Sequence, residues 1–276
     1  MALLEASMGE LLSNLQRKFG RDFSKYRISC LQRRVTLRMS VLRIATLDEY
    51  MDYLSTNPGE IDQLLNTVTI HVTEFFRDKD VFDTVGRSIM PAMIERKLHS
   101  PSRTIRIWSA GCSTGEEAYS IAILSLEYLR VNNVDLVVEV YGTDISKEAC
   151  ATARAGIYAE RKIDQIPPSL RRKYFETGDG TIRVSPELRR RVKFNVHDLF
   201  SAPPFSNLDF VVCRNVLIHF DNAVRHDVLA RFHEALGDGG VLILGKSEAV
   251  AGAALNLYKL VDARSKIYRK NVLRGS

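Results

Sequence analysis

Residues 103–120, RTIRIWSAGCSTGEEAYS, are the most informative part of the sequence for the fold. Ile105 and Ile107 alternate with polar residues before Trp108, which is typical of a buried strand. Gly111 and Gly115 then bracket a tight turn, and a pair of glutamates opens the following helix. A strand, a glycine turn and a helix in this order predict the start of a βαβ unit.

The same turn predicts the class of cofactor. Its spacing is Gly-x-x-x-Gly, with Ser113 where a dinucleotide site has a second glycine, and no Gly-Lys-Ser/Thr follows it. Glu116 and Glu117 place negative charge where a phosphate would bind at the helix N-terminus. S-adenosylmethionine fits better, because it carries an ammonium, a sulfonium and no phosphate. The alternative is an ordinary glycine turn in which Glu116 stabilises the helix dipole.

Length and composition restrict the other possibilities. The 276 residues exceed a usual domain of about 100 to 200, which predicts one large α/β domain with an appendage, or two domains. No apolar run approaches the ~20 residues that cross a membrane, and the first residues lack the basic region of a signal peptide. We therefore expect a cytoplasmic protein without direct membrane insertion. The four cysteines lack C-x-x-C spacing, which argues against a metal site or a disulfide framework, and the net charge of +6 hints at an acidic partner.

Residues 1–95 are predicted to form a helical domain and a linker. Nine basic residues and one acid lie between Gln16 and Arg43. Arg27, Arg34 and Arg38 fall near one another on a helix whose other face is apolar. This face is either a solvated surface or a docking site for an acidic helical protein or nucleic acid. Further helices are expected at 46–54, at 60–68 and from about 82 to 97.

Residues 96–276 are predicted to form a doubly wound α/β domain. Strands are expected at 136–143, at 208–212 and after the glycines at 237–240, with a terminal antiparallel hairpin at 257–261 and 266–268. Asp144 follows the second strand, where its carboxylate can either accept the ribose hydroxyls of an adenosine or cap the next helix. Prolines, basic residues and an Asp179-Gly180 turn at about 157–194 predict a small antiparallel β insertion.

Four motifs make the chain resemble the CheR family of chemotaxis receptor methyltransferases. They are TEFFR at 73–77, STGEE at 113–117, GTD at 142–144 and CRNVLI at 213–218. The resemblance covers nearly the whole chain and includes the order of its parts. It implies methyl transfer from S-adenosylmethionine to glutamate carboxylates in the helical cytoplasmic region of chemoreceptors, with S-adenosylhomocysteine as the second product.

The resemblance also implies which residues form the site. One of the two glutamates of STGEE matches an acid near the methionine end of the cofactor, and Asp144 matches the ribose acid. His71, Asp198 and His219 depart from the residues that relatives commonly carry there. Cofactor contacts are expected from His71, Thr73, Arg77, Gly111, Glu116, Glu117, Asp144, Asp198, Leu199, Arg214, Asn215 and Val216. Arg77 and His219 are expected to orient the substrate, and Arg27, Arg34 and Arg38 to dock the receptor.

Two other functions compete with this one. A nucleic-acid methyltransferase would suit the basic charge, but the Asn/Asp-Pro-Pro-Tyr/Phe motif common among amino-group methylases of bases is replaced here by Cys-Arg-Asn-Val. A non-catalytic receptor-docking adaptor on the same fold would suit the three departures. Some relatives grip a receptor tail peptide with the β insertion, and the compact TGDG turn at 177–180 favours a version that does not depend on the tail.

Overall fold

The chain folds into two units, and the first is helical. The structure is a computed structural model that describes residues 2–19, 23–68 and 73–272. The first unit comprises Met1–His71 and His219–Arg225. Its helices confirm the predicted bundle and are α1 (Ala2–Phe19), α2 (Ile28–Leu42), α3 (Leu47–Thr56) and α4 (Glu60–Val68).

A short bridge joins the two segments of the helical unit. Tyr26 and Phe220 form an antiparallel β-bridge, and their rings meet edge to face with centroids 5.4 Å apart. The backbone N–H of Arg27 donates to the carbonyl oxygen of His219 at 2.9 Å. These contacts place His219 beside the start of α2.

The second unit, Val72–Ile218 with His226–Ser276, is an α/β domain. Its strands are β1 (Thr104–Ala110), β2 (Val137–Asp144), β3 (Ile157–Ala159), β4 (Phe175–Gly178), β5 (Thr181–Val184), β6 (Val192–Val196), β7 (Leu208–Cys213), β8 (Leu236–Leu244), β9 (Tyr258–Asp262) and β10 (Ile267–Lys270). Its helices are α5 (Lys79–Thr84), α6 (Met90–Leu98), α7 (Glu116–Val131), α8 (Lys147–Ala155), α9 (Pro168–Tyr174), α10 (Pro186–Arg191) and α11 (Asn222–Ala235). The first residues of α11, up to Arg225, are assigned to the first unit.

The main sheet confirms the predicted doubly wound architecture. Its order is β6-β2-β1-β7-β8-β10-β9, parallel from β6 to β8 and antiparallel in the terminal hairpin. Ile105 and Ile107 of β1 are fully buried, and so are Trp108 and Ser109, as expected for a central parallel strand covered on both faces. The strand order reverses between β1 and β7, and in such sheets ligands bind at the carboxyl ends of the strands beside that point.

The β insertion is present but shorter than the predicted range 157–194. Strands β3, β5 and β4 form a separate antiparallel sheet. Residues 192–196 belong instead to β6, the parallel edge strand beside β2, and this strand was not predicted. Its buried residues Val192 and Phe194 alternate with exposed polar ones, because only one side of an edge strand packs here.

A continuous helical run over residues 79–98 belongs to the second unit. Helices α5 and α6 are joined by a π-helical turn at Val85–Ile89. Val81, Ile89 and Met93 share one buried cluster with Ile105 and Ile107 of β1. The boundary between the units therefore falls at 71–72, whereas the sequence places it near 95. None of the helices in the described ranges has the length and apolar character that crossing a bilayer requires.

Candidate functional site

The loops after β1 and β7 meet at the strand-order reversal. Gly111 has a φ of +73°, and a Cβ there would lie 2.5 Å from Cγ2 of Val216, so only glycine allows this approach. The backbone N–H groups of Gly111 and Cys112 donate to the carbonyl oxygen of Thr143, at 2.8 and 2.9 Å. The turn after β1 is therefore fixed between the end of β2 and the loop after β7.

Asp144 lies at the carboxyl end of β2 with its carboxylate held by the backbone. Oδ2 accepts from the N–H of Ser113 at 2.8 Å, and Oδ1 accepts from the N–H of Ser146 at 2.9 Å. Helix α8 is capped by the Ser146 hydroxyl, which accepts from the N–H of Ala149, and not by Asp144. Because a carboxylate has about four acceptor positions, Asp144 retains capacity for two more donors.

The edge strand β6 places Asp198 and Leu199 at the same edge of the sheet. Val196 pairs with Asp144 across the parallel ladder, and the N–H of His197 donates to the Asp144 carbonyl oxygen at 2.9 Å. Oδ1 of Asp198 accepts from the N–H of Phe200 at 2.9 Å, and Leu199 is buried. An acid and an apolar side chain thus follow the strand next to Asp144.

The two glutamates of α7 have different surroundings. Glu116 is fully buried, and its oxygens accept from Nζ of Lys162 at 2.8 Å and from Oγ1 of Thr114 at 2.6 Å. This ion pair neutralises Glu116 and connects α7 to the β insertion. The Glu116 carboxylate is thus already paired inside the protein, which makes Glu117 the better candidate for the acid that contacts a cofactor.

The Glu117 side chain is 12% exposed, whereas that of Glu116 is fully buried. Oε1 accepts from the Ser109 hydroxyl at 2.8 Å, and Oε2 lies 3.5 Å from Nη1 of Arg214. Burial raises the pKa of the Glu117 carboxyl, while the charges of Arg214 and Arg77 act in the opposite direction. A cationic group bound beside Glu117 would favour its ionised form further.

The segment Thr73–Asp80 lies at the same edge and is held by ion pairs. Nη2 of Arg214 donates to the Asp78 carboxylate, while Lys246 pairs with Asp80 at 2.7 Å. The carbonyl oxygen of Thr73 accepts from Nζ of Lys162 at 2.7 Å. This segment thus contacts Arg214 through Asp78, and the charge of Arg77 acts on the Glu117 carboxyl. His71 lies outside the described residues.

Glu248 organises the loop after β7 and was missed in the sequence. It is 5% exposed, and its carboxylate accepts from four backbone N–H groups, those of Asn215, Val216, Ile218 and Gly245. The available signal is a lone carboxylate in Gly-Lys-Ser-Glu, directly after the buried strand VLIL at 241–244. Asp78, Ser109 and Lys162 were also missed.

His219 and the predicted docking arginines belong to the helical unit. Nδ1 of His219 lies 3.6 Å from Sγ of Cys30. Burial lowers the pKa of the His219 imidazole, and three nearby arginines, chiefly Arg34, lower it further. The imidazole is therefore neutral near pH 7.

Arg38 differs from the two other docking candidates. Its Nε and Nη2 donate to the two carboxylate oxygens of Glu60, each at 2.7 Å, and the Tyr50 hydroxyl donates to Oε1 of Glu60 at 3.0 Å. Glu60 is 6% exposed. Arg38 therefore neutralises a buried acid inside the bundle, whereas Arg27 is exposed and Arg34 half-buried.

The acceptor groups at the sheet edge fit S-adenosylmethionine. Asp144 offers acceptors for ribose hydroxyls, and Glu117 offers a carboxylate for a cationic group. Oδ1 of Asn215 is buried without a hydrogen-bond partner among the described residues, which leaves an acceptor for an N–H of a ligand.

A separate cavity of about 510 Å³ lies between α10 and β6 and includes none of the predicted cofactor residues. It is lined by Tyr119, Arg154, Pro186, Arg189, Arg190, Val192, Lys193 and Phe194.

The sequence matches two family models. One is described as the SAM binding domain of CheR methyltransferase and covers residues 71–267, and the other is its all-alpha domain and covers residues 6–69. The first of these matches confirms S-adenosylmethionine as the cofactor.

Several relatives are similar over most of this chain. A chemotaxis protein methyltransferase of Borreliella burgdorferi is 33% identical over 269 residues, which are 96% of this chain and 94% of that protein. Chemotaxis protein methyltransferase 2 of Pseudomonas aeruginosa is 32% identical over 87% of this chain and 85% of its own length. An uncharacterized 104.1 kDa protein of Rhodobacter capsulatus is 32% identical over 95% of this chain, which spans 27% of that larger protein. Among solved structures, the glycopeptide N-methyltransferase MtfA with sinefungin is 17% identical, with a TM-score of 0.33 over 58% of this chain and 49% of that one.

Proposed function

The chain belongs to the CheR methyltransferase family, and on this basis we propose that it methylates glutamate side chains in the helical cytoplasmic region of chemoreceptors. The products are glutamate methyl esters and S-adenosylhomocysteine, and the reaction serves adaptation in chemotaxis. The observation that carries this proposal is the pair of carboxylates, Asp144 and Glu117, held beside the turn after β1 by backbone and hydroxyl donors.

Each part of the cofactor has a candidate partner at this edge. We assign Asp144 to the ribose hydroxyls, Asp198 and Leu199 to the adenine side, and Glu117 with Asn215 to the methionine end. When bound, S-adenosylmethionine supplies a methyl group that its sulfonium already activates. The fixed loops let the protein bind it without reordering the backbone, which reduces the entropy lost on binding.

The transfer needs no general base. The accepting glutamate is ionised at neutral pH, because its ordinary pKa is ~4.3. The chain therefore acts by orientation, which can supply ~7 to 11 kcal/mol when the reacting atoms are held about 3 to 3.5 Å apart. We assign this orientation to Arg77 or His219. A neutral His219 suits the task, since it donates a hydrogen bond without the tight ion pair that would weaken the carboxylate as a nucleophile.

Arg27 and Arg34 are the proposed contacts to acidic receptor helices. Neither forms an ion pair among the residues that the structure describes, so their charge is not neutralised by a nearby carboxylate there. Opposite charge on the receptor would speed association and fix its register. We also propose that docking does not require a receptor tail peptide. The β4–β5 connection is a two-residue turn, with Asp179 at φ 52° and Gly180 at φ 71°, as a type I′ hairpin requires.

Methyl transfer to defined acceptors tests the proposal. Protein and S-adenosylmethionine carrying a labelled methyl group are incubated with a chemoreceptor cytoplasmic fragment, and in parallel with RNA. The expected result is alkali-labile label on the receptor fragment and none on RNA. Label on RNA would favour a nucleic-acid methyltransferase, and receptor binding without any transfer would favour an adaptor.

A further inference from the structure

A single buried carboxylate holds the loop on which three predicted cofactor residues lie. Oε2 of Glu248 accepts from the N–H groups of Asn215 and Gly245, at 2.9 and 2.7 Å. Oε1 accepts from those of Val216 and Ile218, at 2.9 and 3.2 Å. All four donors are backbone groups, so Glu248 determines the path of the main chain rather than the rotamer of one side chain.

The donors come from two loops at neighbouring strand ends. Gly245 follows β8, and the other three residues follow β7. A Cβ on Gly245 would lie 2.7 Å from Oε2 of Glu248 and 2.8 Å from the backbone nitrogen of Asn215, so the loops can approach this closely only with glycine. Asn215 has a φ of 61°, a left-handed conformation that asparagine tolerates better than most residues. The carboxylate compensates for this backbone strain with charge-assisted hydrogen bonds.

The loop fixed in this way contacts the rest of the site on both sides. Arg214 lies next to Glu117, and Val216 lies against Gly111 of the turn after β1. A shift of the loop would therefore displace the residue that holds Glu117 and the residue that packs on the glycine turn.

We propose that Glu248 is a positioning residue for the cofactor site, acting through the backbone of residues 214–216. This inference rests on the proposed function. The role of Glu248 requires a carboxylate, because each of its two oxygens accepts from two backbone N–H donors. In a Glu248→Gln variant one oxygen becomes an NH2 group, which in either amide orientation faces two N–H donors and accepts from neither. The loop then leaves its position or keeps buried donors without partners.

The test compares E248Q with a control that removes a similar carboxylate away from the site. Asp209 is also 5% exposed, and it accepts from the N–H of Arg106 and from Lys97, each at 2.9 Å. It lies near the start of β7, whereas Glu248 holds the loop after the end of β7. Binding of S-adenosylhomocysteine is measured by calorimetry for wild type, E248Q and D209N, at a temperature where circular dichroism shows all three folded.

We expect E248Q to weaken S-adenosylhomocysteine binding at least about tenfold, and D209N to change it by less than about twofold although both lose stability. Equal binding by E248Q and wild type, or an equal loss in both variants, would overturn the positioning role. If E248Q does not fold, Glu248→Asp replaces it, since its shorter side chain keeps the charge but cannot span both loops. Its affinity should fall at least about threefold, and unchanged affinity would also overturn the role. A wild-type protein that does not bind S-adenosylhomocysteine would contradict the cofactor assignment itself.

Discussion

Replacing Arg38 by alanine separates a structural arginine from the docking arginines. The change removes both 2.7 Å hydrogen bonds to Glu60 and leaves a 6% exposed carboxylate whose only remaining side-chain donor, among the described residues, is the Tyr50 hydroxyl. Breaking a buried ion pair by removing one partner costs about 3 to 5 kcal/mol. The Arg38 side chain is itself 15% exposed, so we expect a loss near the lower limit, about 3 kcal/mol.

The assay is urea unfolding followed by circular dichroism, which reports on the helices of both units. Arg27→Ala is the matched control, because Arg27 is exposed, and its stability should stay within about 0.5 kcal/mol of wild type. Arg38→Met combined with Glu60→Gln should recover part of the loss, since no buried charge remains and the amide oxygen can still accept from the Tyr50 hydroxyl. If R38A kept wild-type stability but weakened receptor binding as strongly as R27A, Arg38 would be a docking residue and the structural interpretation would be wrong.

Three further predictions concern the cofactor, the receptor and pH. Asp144→Asn should weaken S-adenosylhomocysteine binding roughly 10- to 100-fold by calorimetry, because a hydrogen bond to a charged group contributes about 1.5 to 3 kcal/mol; unchanged affinity would remove Asp144 from the site. Association with a receptor fragment should weaken as salt rises, and Arg27→Gln with Arg34→Gln should reduce that salt dependence; binding that is insensitive to salt in wild type would count against the basic surface. The lowered pKa of His219 means that the unfolded chain binds this proton at a higher pH than the folded one, so stability should fall as pH drops below about 6.5. His219→Gln should flatten that slope in urea unfolding at pH 5 to 7, and an unaltered slope would contradict the assignment.

Local patterns in the sequence predict the parts of the site that depend on one strand and its next turn. The alternation around Ile105 and the glycines at 111 and 115 predict β1 and the turn after it, because burial and backbone conformation act over neighbouring residues. Asp144 is predicted for the same reason, since the end of a strand in a parallel sheet specifies which edge its next residue reaches.

Contacts between distant segments are what these patterns could not predict. Glu116 and Glu117 are adjacent in sequence, and only the pairing of Glu116 with Lys162, 46 residues away, separates a structural acid from a candidate cofactor acid. In the sequence Arg38 cannot be told from a surface charge, because its partner Glu60 lies 22 residues later, in α4. The sequence shows Glu248 only as a lone carboxylate soon after a buried strand, and its role depends on backbone N–H groups that two separate loops bring to it.

The edge strand β6 was not predicted for a different reason, which is the composition of the residues around it. Val192 and Phe194 alternate with polar residues, as a half-buried strand requires, but basic residues and prolines surround them. That local composition assigned the segment to the β insertion, whereas pairing with β2 places it in the main sheet.

We propose that this chain transfers a methyl group to glutamate side chains of a receptor. Mass spectrometry of peptides from a chemoreceptor cytoplasmic fragment, incubated with S-adenosylmethionine and either wild type or the Asp144→Asn variant, tests it most directly. We expect methyl esters on glutamates with wild type, and far fewer with the variant at limiting cofactor. A methyl group on any other residue type, or on the fragment equally with both proteins, would contradict it.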